Sequence, residues 1–152
     1  MEKPDICNVE KMKYEPLNNK DMKKLLGLIT ALYFGLASLN AMSYEEARDR
    51  ARFLTDKMAY ELNLNDQQYN DAYEINLDYL MNIRTASDAS SVYLEYRNAD
   101  LRFILYDWQY ALFQAATYFF RPVIWRTSGW FLPVYTIYSP SRFYYSPPRV
   151  YQ

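Results

Sequence analysis

"LTDKMAYELNLNDQQYNDAYEIN", residues 54–76, decides the fold, because two amphipathic helical patterns meet inside it at a break that carries its own cap. Upstream, Ala47, Ala51, Leu54, Met58 and Leu62 follow at spacings of four, three, four and four, one stripe of a single helix. Ser43-Tyr44-Glu45-Glu46 has the capping-box pattern, a hydroxyl placed to accept the N3 amide and a glutamate able to reach back, so that helix is expected from there to about Leu62. Downstream, Asn65 can cap a second helix with Gln68 as its reciprocal partner, and Leu62 and Leu64 flank the break as apolar anchors. The second helix is expected over residues 66–84. Tyr69, Tyr73, Leu77 and Leu80 form one side of its apolar face, and Ala72, Ile75, Tyr79 and Ile83 the other.

Past the small polar turn "RTASDASS", residues 84–91, a heptad rhythm takes over. Val92, Tyr96, Ala99, Phe103, Tyr106, Tyr110 and Phe113 alternate steps of four and three, the a/d seam of a helix that packs on other helices. Leu105, Trp108, Leu112 and Phe119 add a second stripe, so this half is expected to be covered nearly all round. Pro122 ends the helix, since proline disfavours helical geometry at the residue before it and has no amide to donate. The expectation is an all-α fold: a three-helix hairpin or cradle with a long third helix over residues 44–121, followed by an irregular tail over residues 122–152. The tail is rich in proline, tyrosine and arginine and ends in a tandem heptapeptide, "YSPSRFY" (138–144) then "YSPPRVY" (145–151).

Toward the N-terminus, "MKKLLGLITALYFGLASLNAMS", residues 22–43, has the build of a secretion signal: Lys23 and Lys24, an uncharged apolar run over residues 25–39, and small residues at Ala41 and Ser43. The run is shorter than the roughly twenty residues of a spanning helix, which favours a cleaved signal over an anchor or a core helix. A signal works from a chain's own terminus, so Met22 is expected to be the biological initiator and residues 1–21 an upstream extension, with a disordered tail ahead of an anchor as the other reading. The single cysteine, Cys7, falls in that extension, which leaves the expected mature chain without thiol chemistry.

The sequence has no histidine, the usual general base and commonest metal ligand. It also lacks a nucleophile elbow, a glycine-rich phosphate loop and EF-hand spacing. An enzyme is not expected, and neither is a cofactor or a metal. Asp66/Asp71 and Asp49/Asp56 are the carboxylate pairs closest in sequence, and among polar neighbours they read as solvated helix faces. Acids outnumber bases from Tyr44 to Asp107, while beyond Asp107 there are only arginines, Arg121, Arg126, Arg142 and Arg149. Export and an acidic body argue against a nucleic-acid partner.

The segment quoted first resembles the Spy/CpxP family of exported helical proteins, named for an L-T-x-x-Q motif. Leu64-Asn65-Asp66-Gln67-Gln68 fills that pattern with asparagine in place of threonine. A second copy is similar in "ILYDWQYALF", with Leu105 and Gln109 in register; Tyr106 stands where threonine belongs and cannot cap a helix as threonine does, so the third helix is expected to run through it. The resemblance spans residues 44–113. It implies an all-helical, often dimeric cradle that binds unfolded proteins in the periplasm without ATP or damps an envelope-stress sensor, and it brings no catalytic residues.

Two functions follow as expectations. The first is an exported ATP-independent chaperone-like or envelope-stress binding protein, whose partners are unfolded or envelope proteins, a stress sensor, or a second copy; Arg97 and Arg102 are its candidate contacts, and for any one of the tyrosines core packing is the alternative. The second is a structural or adaptor envelope protein whose tail, through Trp125, Trp130, Tyr138 and Tyr145, binds a membrane surface or partner. Against that stands a tail that folds back over the aromatic end of the third helix.

Overall fold

Ser43 opens the first helix, its Oγ accepting the Glu46 amide at 3.2 Å, while Glu46 turns to Arg50, 2.5 Å away, instead of reaching back. In the computed structural model, which describes residues 18–20, 22–24, 41–127 and 129–151, this helix, α1, spans Tyr44–Leu62. The chain divides into two units, Met1–Leu36 and Ala37–Gln152, and every element named below belongs to the second. Cys7 and the apolar run of the expected signal, residues 25–39, lie outside the described residues. Among the described residues no helix is long and apolar enough to cross a membrane.

α1 ends at Asn63, which takes the left-handed conformation (φ 50°) that asparagine tolerates better than other residues with a Cβ. α2, Asp66–Asn82, starts at once under a complete capping box: Asn65 Oδ1 accepts the Gln68 amide at 2.9 Å and Gln68 Oε1 accepts the Asn65 amide at 3.1 Å. The α1 stripe of Ala47, Ala51, Leu54, Met58 and Leu62 is buried throughout, and Tyr69, Ala72, Tyr73, Tyr79, Leu80 and Ile83 are buried with it. A 3-10 turn, Asp88–Ser90, follows, with Asp88 accepting the Arg84 and Thr85 amides.

The third helix does not run through. α3, Val92–Ile104, stops at Leu105 and Tyr106, both extended, and α4, Asp107–Ala115, begins after them, followed by the single turn α5, Thr117–Phe120. Gln109 supplies the half of a capping box that does not depend on the residue at the cap: its Oε1 accepts the Tyr106 amide at 2.9 Å. The heptad seam holds only at its end, where Phe113 is buried and Tyr110 half-buried, and is overturned before it. Leu94, Arg97, Asn98 and Leu101 face inward, and Val92, Tyr96, Ala99, Phe103 and Tyr106 are exposed.

The tail is less irregular than its composition suggests. β1, Ile124–Arg126, pairs antiparallel with β2, Gly129–Phe131, in the register Ile124↔Phe131, Trp125↔Trp130 and Arg126↔Gly129. Trp125 and Trp130 meet edge to face, 4.8 Å apart. A 3-10 turn, Pro133–Thr136, sends Val134 into the core beside Leu132 and Val123, and a second, Arg149–Tyr151, closes the described chain. The architecture is mostly helical, of the all-α class, with one small two-stranded ribbon.

Candidate functional site

The two motif glutamines meet. Gln68 Nε2 donates to Gln109 Oε1 at 2.8 Å and Gln109 Nε2 to Gln68 Oε1 at 3.1 Å. Each amide also reaches the C-terminal end of the helix preceding the other motif: Gln68 Nε2 donates to Ile104 O (2.9 Å), and Gln109 Nε2 to Leu62 O (3.0 Å) and Asn63 O (3.2 Å). Helix ends leave carbonyls without intrahelical partners, and here each break is closed by the other break's glutamine. Leu64 and Leu105 are buried on either side.

Deeper in, Arg97 is 2 % exposed, and the oxygens that accept its hydrogen bonds are amide and carbonyl oxygens. Its guanidinium donates to Asn76 Oδ1 (2.8 Å), Asn98 Oδ1 (2.9 Å) and Phe119 O (2.9 Å), and burial brings its pKa down to about 9. Asn76 in turn donates to Thr55 Oγ1 at 2.9 Å, so one polar chain ties α1, α2, α3 and α5 together. The Tyr79 hydroxyl, donating to Ala89 O at 2.8 Å, is pushed up to about 12 by the same burial.

The tail does two things: its turn Pro133–Thr136 packs against α5, the aromatic end of the third-helix region, and Phe119 is buried there with Val123, Leu132 and Val134, while residues 138–151 lie on α1 and α2. Asp56 accepts the amides of Tyr144 (2.9 Å) and Tyr145 (2.8 Å), and Lys57 Nζ, 2.7 Å from Asp56, also donates to Arg142 O. Both side chains are fully buried, so Asp56 is not on a solvated face. The Tyr69 hydroxyl donates to Ser146 O (3.0 Å), Asn70 Oδ1 accepts the Arg149 amide (2.8 Å), and Glu61 accepts from Tyr118 (2.7 Å) and Tyr138 (2.6 Å). Burial, and after it those hydrogen bonds to Glu61, hold both phenols above the ordinary tyrosine range, Tyr118 at about 12.

The candidate contacts therefore scatter. Arg97 is withdrawn into the core, Trp130 is buried, Trp125 and Tyr138 are half-buried, and Tyr145 is 38 % exposed within the docked tail. Arg102 stays at the surface, 2.5 Å from Asp107 and 5.0 Å from the Tyr110 ring centre. It lines a cleft of about 520 Å³ with Leu94, Glu95, Ala99, Tyr110 and Phe120. Along the outside of α3 stand Tyr96 (63 % exposed) and Phe103 (92 %), and on α4 Trp108 and Leu112 are about half exposed. Sequence reasoning read Asp56 as a solvated acid and passed over Lys57, Glu61 and Asn70. No local signal marked them, since Thr55, Asp56 and Lys57 follow one another between Leu54 and Met58 as an ordinary polar run of α1. Among the described residues no group of three or more acidic or cysteine side chains is placed to hold a metal ion.

A mostly helical domain with two capped breaks locked by a glutamine pair is the class that fold and site define. A family model described as "Domain of unknown function (DUF4890)" matches residues 40–101, which hold α1, α2 and most of α3. No curated protein and no solved structure matches the chain.

Proposed function

We propose that the protein is an exported, ATP-independent binder of unfolded or stress-damaged envelope proteins, of Spy/CpxP type, with α1, α2 and the α3–α4 segment as a hairpin-type cradle. The observation that carries the reading is the outward stripe of α3: Val92, Tyr96, Ala99 and Phe103 keep a seam's spacing yet face solvent, Phe103 at 92 % exposure. Lone surface apolar residues are ordinary, but a helix that presents aromatic residues at a/d spacing has the chemistry of a binding face. The paired L-x-x-x-Q motifs add support, because their glutamines fix where α3 and α4 diverge. The sequence has no histidine and no glycine-rich phosphate loop, and its one cysteine, Cys7, falls in the segment read as an upstream extension, so the reading is of binding without catalysis.

The test is light scattering of a denatured client diluted into buffer without ATP, over rising molar ratios of residues 44–152. Suppression near equimolar amounts is expected, and Tyr96→Ser with Phe103→Ser should weaken it several-fold while leaving the helical circular dichroism unchanged. Aggregation that proceeds at the client's own rate at every ratio would remove the chaperone-like reading. The adaptor reading requires the tail to reach outward, and the contacts of Asp56, Lys57, Tyr69 and Asn70 with tail main chain favour it less.

A further inference from the structure

Asp56, Lys57, Tyr69 and Asn70 grip the tail by its main chain: the amides of Tyr144, Tyr145 and Arg149 and the carbonyls of Arg142 and Ser146. A cover needed only for its apolar surface does not call for this. Burying an aspartate and a lysine carries a desolvation cost that an apolar pair of similar volume avoids. What the charged pair provides instead is recognition of peptide groups, the chemistry by which receptors hold extended chains of varied sequence.

Aromatic subsites flank that grip. Phe53 meets Phe143 edge to face (5.8 Å), Tyr60 stacks flat on Tyr144 (4.0 Å), Tyr69 lies against Tyr145 (5.6 Å), and Tyr73 against Tyr151 (6.1 Å). The end of the first heptapeptide fills two of these subsites and the two ends of the second fill the others, so one face accommodates successive copies of one pattern. Nor does the tail use all that the face offers. A cleft of about 560 Å³ remains between Asp66–Asn70 of α2 and Tyr145–Arg149 of the tail, and the buried Tyr73 hydroxyl and Arg52 Nε have no acceptor among the described residues.

We propose that the α1–α2 face is a binding groove for extended, aromatic and proline-containing peptide segments of other chains, and that residues 138–151 are its occupant in cis. The tether makes the tail a strong competitor, since a linked segment acts at an effective concentration in the millimolar range. Its release is local: Tyr145, Ser146, Arg149 and Val150 are exposed, and the segment's main-chain bonds go to the groove, with only short turns of its own. The inference stands apart from the chaperone-like reading, which concerns the α3–α4 face.

The experiment is fluorescence anisotropy with a labelled synthetic peptide of residues 138–151, titrated with the intact full-length chain and with a full-length variant carrying Phe143→Ser and Tyr144→Ser, which loosens the tail and leaves the groove unchanged. The loosened chain should bind the peptide at least tenfold more tightly than the intact one, and adding Asn70→Ala and Tyr69→Phe should cost tenfold again. A loosened chain that is folded by circular dichroism and does not bind the peptide overturns the proposal. Should that variant not fold, native-state amide exchange on the intact chain decides: Tyr144 and Tyr145 exchanging through local opening, well ahead of the α1 amides and insensitive to low denaturant, supports the groove. Exchange of both amides only through global unfolding, at the rate of the slowest α1 amides, overturns it.

Discussion

Gln109 takes part in three jobs at one point in the core. It receives the Tyr106 amide as α4 starts, donates to Leu62 O and Asn63 O where α1 stops, and pairs with Gln68. Replacing it with leucine keeps the volume and leaves those buried groups without partners, each costing about 1–3 kcal/mol, so Gln109→Leu should destabilise by about 3 kcal/mol in urea unfolding. Gln68→Leu should cost a similar amount. Together the two should cost less than their sum by at least about 1 kcal/mol, because the amide–amide pair is lost only once. Strict additivity would mean that the glutamines serve only their own helices. The Asn65–Gln68 box was legible as a local pattern over four residues, and Gln109 as the glutamine of the second motif; their pairing was not, because the two lie 41 positions apart and no local signal joins them. Separation along the chain also hides Asp56, which reads as a solvated acid until a tail segment beginning 88 residues further on brings two amides to it.

At the scale of the element, α1 and α2 were the legible part: their apolar spacings, Asn65 and Gln68 place both helices and the break between them. The α3–α4 region misled for a physical reason. Its four-and-three spacing describes a face that is apolar, not a face that is buried, and the inner face instead carries Arg97, Asn98 and Leu101, of which the first two satisfy each other and the Phe119 and Phe120 carbonyls. The break at Tyr106 escaped notice because tyrosine is a poor cap, while Gln109 does the capping from N3. This yields a test of the element itself. Tyr106 is 58 % exposed and sits at the N-cap, so Tyr106→Ser sacrifices little burial and adds an acceptor for the first-turn amides. Stability should rise by about 0.5–1 kcal/mol in thermal or urea unfolding. In a continuous helix the same change exchanges two residues of similar helix propensity and adds no cap, so no gain follows there, and a rise in stability decides for the break.

Over the whole molecule the tail is two things in succession, and truncation should separate them. Residues 122–137 belong to the core: Pro122, Val123, Trp130, Leu132 and Val134 are buried, and Arg50 donates to Trp130 O at 2.8 Å to pin the ribbon on α1. Fully burying one large apolar side chain contributes about 1.5–3 kcal/mol, so removing this set takes away an amount comparable to the net stability of about 5–15 kcal/mol that a domain of this size commonly has. Ending the chain at residue 121 should therefore give a protein that aggregates or lacks a cooperative melt. Ending it at residue 137 removes a different kind of contact. Asp56 and Lys57 then meet water instead of being stranded in an apolar interior, so most of their desolvation cost is returned as the tail's hydrogen bonds disappear. The loss left over is the aromatic pairing of Phe143, Tyr144 and Tyr151 with α1 and α2, about 0.5–1.5 kcal/mol for each pair beyond its buried area. A single cooperative transition should survive, about 10 °C below that of the full chain, at the 2–8 °C that each kcal/mol commonly moves a midpoint in domains of this range. Scanning calorimetry on the two truncations reads this directly. If both collapse alike, the heptapeptides are as integral to the core as the ribbon, and the charged pair beneath them is buried to hold the fold together.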